Sequence, residues 1–539
     1  MSGTELTAFL LLIPASLLLP ERWAVIMRQS WRKCARLCQS PALMACLFAL
    51  AAFAGNMAFS LLVRFPEPYV VDEFSYLFGS ETLMAGRLTN MTPPFHEHFS
   101  FIHNIETPTW QMKYPPGQSL LLAFGSLFGH PIVGAWAGMA LAIGGLCWML
   151  QAVLPCRWVF VGTLLGLLNW WINMRHGQSY MGTSLAMIGG VTTLGALVRL
   201  LRAPRPIYGA LLGLGLFLMA ISRPYEGLIM SLPAALLLLR QLCITQARDR
   251  RALLIAGLLP CFLILLVSFA WLGYYHQQVT GSAFMMPYQV WIQQKSRQSL
   301  GALVSSLGRL ISDARYPDYS LSQRIQFVLE HSVGRIKPSL LICFPVNLAI
   351  SLAFLPVVCR RPWFRFFVTT TVITWTAIFL EQPLWIAPEY TGPLLGPNIL
   401  LMTLGMRGMS TLKLGSFRIG GRLPVLLMAG TVLTFVGHCL RTEKTGPLPE
   451  PVQQRLHITA LLQESSGKDL VFVLPPQNPD YTFSWLSNHP DLADAEIIWA
   501  LSLGSTADQL LRSHYRERRV WSLSWEENQP CLRELDDTE

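Results

Sequence analysis

The chain has 539 residues, of which 52% are hydrophobic and 13% are Asp, Glu, Lys or Arg. A soluble globular domain carries roughly 25% charged residues, so this composition excludes an ordinary soluble enzyme. The formal charge of +10 is unevenly distributed: residues 1–445 hold 34 basic and 16 acidic residues, and residues 446–539 hold 7 and 15. The contrast predicts a membrane-embedded body, 1–445, followed by an acidic tail domain, 446–539, and makes nucleic acid a poor candidate partner.

Apolar runs of about 20 residues, the length that crosses a bilayer core, recur along the body. We predict eleven spans, with a weaker twelfth at 6–20, and they lie near 41–63, 131–154, 157–173, 178–201, 207–222, 225–239, 252–274, 340–358, 364–381, 393–408 and 422–440. The expected fold class is therefore an α-helical polytopic membrane protein with about 11 or 12 transmembrane helices.

The distribution of Lys and Arg predicts the orientation of these spans. Alternating them places 20 basic residues on one side, against only Glu21 and Asp249, and short loops rich in Lys and Arg face the cytosol. The loops 64–130 and 275–338 then lie outside, as does the tail. This arrangement requires 117–129 to form a helix lying on the outer interface of the membrane rather than a span.

The tail combines helical and strand-like patterns. Alternating and β-branched segments predict strands at 469–474, 496–501 and 519–524, and helical patterns occur at 457–463 and 507–515. We therefore expect a small α/β domain on the outer face. The 11 cysteines of the chain form no CxxC pair, which favours small core residues over a zinc site or a disulfide framework.

Two adjacent carboxylates open the first outer loop. Asp72 and Glu73 lie at the start of a predicted amphipathic helix, 73–85. A carboxylate at the membrane surface is able to accept a proton from an acceptor hydroxyl, or to orient that hydroxyl. The alternative is a structural role, in which negative charge complements the dipole at the helix N-terminus.

The same loop carries a possible metal site and a possible phosphate site. His96, Glu97 and His98 are weak candidates for a divalent metal, and polar lining of a cavity is the favoured alternative. Lys113, which precedes Tyr114, offers a point charge for a phosphate; its alternative is interfacial snorkelling.

Further polar groups lie near the predicted outer ends of the spans. Arg223 sits between two short apolar runs, where it binds a phosphate or pairs with Glu226. Ionisable residues at span edges are costly and often functional, which adds a second set of candidates: Arg175, His176, Glu389 and Tyr390.

This layout resembles that of the GT-C membrane glycosyltransferases. It consists of a span, an outer loop that opens with Asp-Glu, interfacial helices and many short spans. The related families are the protein O-mannosyltransferases and the lipid A aminoarabinose transferases. Asp72-Glu73 matches their acidic motif, and Tyr114-Pro115-Pro116-Gly117 with 120–129 resembles the Pro-Pro-Leu-Gly interfacial helix of the mannosyltransferases. A late His-Tyr pair of some relatives appears here as Glu389-Tyr390. The resemblance covers residues 41–440.

The resemblance implies an inverting transfer of a hexose or pentose from a polyprenyl-phosphate donor. The acceptor would be a lipid, a polysaccharide or a protein at the outer face of a bacterial cytoplasmic membrane. Asp72 and Glu73 would be the catalytic carboxylates, with Asp72 as the base or the group that orients the acceptor, and Lys113 and Arg223 would bind the donor phosphate. No metal or other cofactor is required by this chemistry, and a divalent metal is the weaker alternative.

Two other classes of function fit a polytopic membrane protein. A transporter or flippase of a lipid-linked substrate is one, although transporters place charged sites near the bilayer midplane, whereas the ionisable groups here cluster at the outer face. A non-catalytic scaffold that recruits a partner through the tail is the other.

Overall fold

The computed structural model describes residues 40–295, 351–360, 363–381, 388–412, 422–444, 448–464, 467–474, 485–526 and 529–535, together with Val25 and Gln29. The predicted span at 6–20, most of the span at 340–358 and the second outer loop beyond 295 lie outside these residues.

The first outer loop lies between two long apolar helices. Helix α1, Pro41–Leu62, is followed by α2, Val71–Met84, by a 3-10 turn at His96–Phe99 and by a two-stranded hairpin, β1 Asn104–Ile105 and β2 Gln111–Met112. Helix α3, Gly117–Ser126, then leads into α4, Ile132–Gln151. Helices are therefore present at 71–84 and 117–126, where the sequence predicts them.

The helices of the body follow in chain order. They are α5 Cys156–Leu167, α6 Trp170–His176, α7 Ser184–Arg202, α8 Pro206–Ala220, α9 Pro224–Ile244, α10 Ala247–Ala252, α11 Leu259–Thr280 and α12 Pro287–Lys295. A π-helical segment, Leu253–Leu258, joins α10 to α11. After 350 come a 3-10 turn at Leu355–Val358, α13 Phe364–Glu381, a 3-10 segment at Pro388–Leu394, α14 Leu395–Met409 and α15 Leu423–Lys444.

Six helical segments of the described chain are long and apolar enough to cross a membrane. They are α1, α4, α7, α9, the continuous segment Ala247–Thr280 and α15 from Leu423 to Thr442, and α5, α8 and α13 are shorter apolar helices. The predicted span at 157–173 is divided in the structure. Helix α5 ends at Leu167, and the side chain of Asn169 accepts a hydrogen bond from the Ile172 N–H to begin α6. Helices α4, α7 and α14 are mostly buried and form the centre of the body.

The tail contains a four-stranded sheet flanked by two helices. Helix α16, Glu450–Gln463, precedes β3, Asp469–Val473, and α17, Ser505–His514, separates β4, Ile497–Leu501, from β5, Arg519–Glu526. Strand β3 lies parallel between β4 and β5, and β6, Gln529–Glu534, pairs antiparallel with β5. The predicted strands and helices are present, whereas β6 was not predicted.

The tail packs against the first outer loop. Phe78 of α2 and Trp110 share one hydrophobic cluster with Phe472 of β3, and Phe74 of α2 shares a second with Val471. Polar contacts join the same surfaces: Arg87 pairs with Asp491 at 2.7 Å, and Nδ1 of His98 lies 2.8 Å from the Leu501 carbonyl oxygen. The tail therefore lies on the same side of the membrane as this loop.

Candidate active site

The start of α2 is fixed by Glu73. One carboxylate oxygen accepts hydrogen bonds from the backbone N–H groups of Tyr69 and Val70, both at 2.9 Å, and the other accepts one from the Tyr180 N–H at 2.9 Å. The residue is 4% exposed. Because both oxygens are engaged by backbone donors, we assign Glu73 the structural role, that of a helix-start anchor which positions its neighbour Asp72.

Asp72 is oriented differently from Glu73 and is accessible. Its side chain is 28% exposed, its Oδ1 accepts a hydrogen bond from the Tyr114 hydroxyl, and Nε2 of His103 lies 3.8 Å from the same oxygen. The ring of Tyr114 stacks on that of Tyr76, one turn further along α2, with 4.7 Å between the ring centroids. The site thus holds one open carboxylate in a defined orientation.

The Tyr-Pro-Pro-Gly segment is held against the turn between α8 and α9. The Gly117 N–H donates to the Ile221 carbonyl oxygen at 2.9 Å. A Cβ at Gly117 would lie 2.6 Å from that oxygen, so only glycine permits this approach. Since Arg223 follows Ile221 by two residues, the contact brings Tyr114 and Arg223 to the same part of the molecule.

Lys113 is buried among aromatic rings of the second outer loop. Its Nζ lies 3.7 Å from the centre of the Trp291 ring and 5.8 Å from that of Tyr288, both on α12, and the residue is 5% exposed. Burial, opposed by the charge of Asp72, lowers the pKa of Lys113 to about 7. Lys113 therefore loses its proton near neutral pH, and a nearby anion would raise its pKa and favour the charged form.

His103 is neutral at physiological pH. Burial first, and then the neighbouring charge of Lys113, lower its pKa to about 4, while Asp72 acts in the opposite direction. The ring centroids of His103 and Tyr114 are 5.7 Å apart. His103 thus contributes a neutral polar wall beside the carboxylate rather than a second cation.

The remaining predicted residues form a second group around Arg223. Its guanidinium carbon lies 5.0 Å from the ring centre of Tyr390, and Nη1 of Arg175 lies 3.4 Å from Oε1 of the buried Glu389. His176 is also buried, and it interacts electrostatically with Arg175 and Arg223.

The two groups meet at Tyr76. Its buried hydroxyl interacts electrostatically with four predicted residues: Arg223, Asp72, Tyr390 and Glu389. Arg223 also interacts with Glu226, the partner considered from the sequence. The structure therefore brings the acidic motif and the cations of three separate chain segments around one region.

His96 and His98, which the sequence offers as weak metal ligands, have different surroundings. His98 is 2% exposed and lies 3.7 Å from Asp508 of the tail, whereas the His96 side chain is 34% exposed. In the described segments, no three His, Cys, Asp or Glu side chains gather in a way that could hold a metal ion. His98 contacts both Asp508 and the Leu501 carbonyl oxygen of the tail.

Four residues of the site were not among the predicted site residues: Tyr76, His103, Tyr288 and Trp291. Tyr76 could have been found, because it lies one helical turn after Asp72. The two residues of α12 could not, because about 180 residues separate them from Lys113 and no sequence pattern links the two outer loops.

Comparison with solved structures identifies the architecture. The structure is similar to the crystal structure of the Archaeoglobus fulgidus oligosaccharyltransferase tethered with an acceptor peptide, with a TM-score of 0.52 and 11% identity over 90% of this chain and 68% of that chain. ArnT from Cupriavidus metallidurans bound to undecaprenyl phosphate gives a TM-score of 0.47 and 13% identity over 88% of each chain. No family model and no curated protein sequence matches the chain.

The likeness to the oligosaccharyltransferase confirms the predicted fold class. The chain is an α-helical, polytopic membrane protein with a GT-C-like architecture and a small sheet-containing tail. Within that architecture, Asp72 lies at the start of the first helix after α1.

Proposed function

We propose that this protein is a membrane glycosyltransferase that transfers a sugar from a polyprenyl-phosphate donor to an acceptor at the outer face of a bacterial cytoplasmic membrane. The observation that carries the proposal is the open carboxylate of Asp72, held by Tyr114 and electrostatically coupled to Lys113. The fold, shared with an oligosaccharyltransferase, supports the same class of reaction.

The proposed step uses Asp72 as a general base. The acceptor hydroxyl oxygen attacks the anomeric carbon and its proton passes to the carboxylate, while the bond from this carbon to the phosphate oxygen breaks. Polyprenyl phosphate leaves with the bonding electron pair, and attack from the opposite face inverts the anomeric configuration. The proton on Asp72 then returns to water.

The donor phosphate is proposed to bind between the two cations. Lys113 and Arg223 approach the Asp72 region from different segments, and each interacts electrostatically with a group of the cluster. Cations fixed in a water-poor site stabilise developing negative charge without reorganisation. Arg175, His176, Glu389 and Tyr390 would line the sugar or acceptor side, and no metal or other cofactor takes part in this scheme.

The tail shares a side with the first outer loop, and we propose that both are extracytoplasmic. The donor's isoprenoid chain would remain among the membrane lipids, because it is too apolar to leave them, while its sugar reaches the interface where Asp72 lies. Chemistry at the outer surface thus suits both ends of such a donor.

The test is a turnover experiment that separates transfer from transport. Purified full-length protein in proteoliposomes is given polyprenyl-phosphate sugars labelled in the hexose or pentose, with a membrane extract as acceptor source. The proposal predicts free polyprenyl phosphate together with a labelled covalent product. Movement of the intact donor between leaflets without release of polyprenyl phosphate would instead establish the transporter alternative.

If the protein is a non-catalytic scaffold, it neither releases polyprenyl phosphate nor moves the intact donor between leaflets. The scaffold alternative also predicts that deleting 446–539 displaces a partner protein in cells without changing donor turnover. If donor turnover were lost with the tail, the result would favour a role for the tail within the enzyme itself.

A further inference from the structure

A cavity of about 550 Å³ lies between α9 and α13, away from the site described above. Three arginines line it, namely Arg240, Arg360 and Arg365, together with apolar side chains that include Leu236 and Ile373. In the part of the chain that the structure describes, none of the three guanidinium groups has an ion-pair partner. Their charge is therefore available to a bound anion.

The cavity is at the opposite end of the α9–α13 pair from the candidate active site. The Tyr225 hydroxyl, at the start of α9, donates to the Ala377 carbonyl oxygen near the end of α13 at 3.4 Å, so the two helices are antiparallel. Arg240 follows Arg223 by 17 residues, or about 25 Å of helix. The cavity thus lies at the membrane face that the arginine distribution predicts to be cytosolic.

The walls of the cavity combine charge with lipid-compatible surface. Leu236 is 65% exposed and Ile373 is 39% exposed, so the apolar side opens outward, where acyl chains lie. Trp363, another lining residue, has φ of 69°, a left-handed conformation that a bulky residue rarely adopts. The guanidinium carbon of Arg202 lies 5.9 Å from the Trp363 ring centre, which adds a fourth positive charge.

We propose that this cavity binds the headgroup of an anionic glycerophospholipid of the cytosolic leaflet. The phosphodiester accepts hydrogen bonds from Arg240, Arg360 and Arg365, and one acyl chain lies along Leu236 and Ile373. Guanidinium groups match the oxygens of a phosphate geometrically, and basic pockets between membrane helices bind anionic headgroups. The site is separate from the proposed transfer reaction, and it anchors the cytosolic ends of α9 and α13.

The binding experiment uses the full-length protein in phosphatidylcholine nanodiscs titrated with phosphatidylglycerol, with bound lipid counted by native mass spectrometry. Wild-type protein is expected to retain phosphatidylglycerol at least tenfold better than phosphatidylcholine. The double variant Arg240→Gln with Arg365→Gln is expected to bind roughly 25-fold more weakly, at about fivefold for each arginine. Arg250→Gln, an exposed arginine of α10 outside the cavity, is expected to change binding less than twofold.

A charge-preserving pair separates binding from folding. Arg240→Lys with Arg365→Lys is expected to retain most of the preference, and all variants must keep the wild-type circular dichroism and gel-filtration profile. Equal binding of both lipids by the wild type would overturn the proposal, as would equal losses in the cavity variants and Arg250→Gln. Displacement of phosphatidylglycerol by undecaprenyl phosphate or by inorganic phosphate alone would also overturn it, by assigning the site to another phosphate source.

Discussion

The Tyr114 hydroxyl donates a hydrogen bond to Oδ1 of Asp72. The Tyr114 ring also stacks on Tyr76, which lies four residues after Asp72 on the same helix. Residues four apart share one helix face, so Tyr114 contacts both the carboxylate and the adjacent turn. The orientation of Asp72 therefore depends on a residue of the Tyr-Pro-Pro-Gly segment as well as on its own helix.

Tyr114→Phe should slow the reaction while leaving the fold intact. The substitution removes the donor to Asp72 but keeps the ring that stacks on Tyr76. A hydrogen bond to a charged group contributes about 1.5–3 kcal/mol, so we expect turnover to fall roughly 10- to 100-fold. Steady-state kinetics and thermal melting check this, with Tyr114→Ala as the comparison that loses stability as well. Unchanged turnover in Tyr114→Phe would remove the tyrosine from the mechanism.

Glu73→Gln should destabilise the protein, in contrast to a substitution at its neighbour. The buried Glu73 carboxylate accepts hydrogen bonds from three backbone N–H groups. The side-chain amide of the variant has only one acceptor oxygen. We expect the free energy of unfolding to fall by about 2 kcal/mol. Asp72→Asn should leave the melting temperature close to that of the wild type, because Asp72 is partly exposed. Equal melting temperatures for both variants would contradict the anchoring role of Glu73.

Donor affinity should depend on pH through Lys113. Since burial, opposed by Asp72, lowers its pKa to about 7, Lys113 loses its proton as the pH rises through that value. We expect the affinity of the wild type for undecaprenyl phosphate to fall from roughly pH 6 to 8 relative to that of Lys113→Arg, whose side chain stays charged. Ionisation of the lipid phosphate affects both affinities equally, so it does not change their ratio. A ratio that does not change with pH would remove Lys113 from the phosphate site.

The same lysine should make stability depend on pH. Its pKa is about 7 in the folded protein against the ordinary 10.5, so the unfolded chain binds more protons between these values. Stability therefore rises with pH across the window from about 7 to 10.5. Lys113→Met should lack this rise, and it should be more stable than the wild type below pH 7. Melting temperatures measured over the window check both statements.

The tail should stabilise α2, the helix that carries Asp72. Phe472 of the tail shares a buried cluster with Phe78 of α2, and Phe→Ala in a core costs about 3–5 kcal/mol. We expect Phe472→Ala to lower both the melting temperature and the turnover. Arg87→Ala, which breaks a half-exposed ion pair with Asp491, should cost no more than about 1 kcal/mol. A Phe472→Ala protein with full turnover would show that the tail acts independently of the site.

Much of the local structure follows from sequence patterns. The apolar runs, the helix after Asp72, the helix after Pro116 and three strands of the tail are each encoded within about 20 residues, so periodicity predicts them. Strand β6 was not predicted, because Gln529–Glu534 is mostly exposed and lacks an apolar alternation. The break between α5 and α6 was not predicted either. It lies within a continuous apolar run, where the side chain of Asn169 caps the start of α6.

The contacts between segments were harder to predict. Lys113 was predicted to bind a phosphate or to snorkel at the interface, and its contact with Trp291 of the second outer loop was not predicted. The tail was predicted as a small α/β domain, and its packing against Phe74 and Phe78 of the first outer loop was not predicted. Such contacts depend on the relative placement of distant segments, which local hydrophobic patterns do not encode.

The most direct test of the central claim is the release of free polyprenyl phosphate by Asp72→Asn, measured beside the binding of undecaprenyl phosphate. Loss of a general base costs about 10²- to 10⁴-fold, so turnover should fall at least 100-fold while the lipid binds within twofold of the wild type. Asp494→Asn, the same change at an exposed position of the tail, should behave as the wild type. Wild-type turnover by Asp72→Asn would contradict the account.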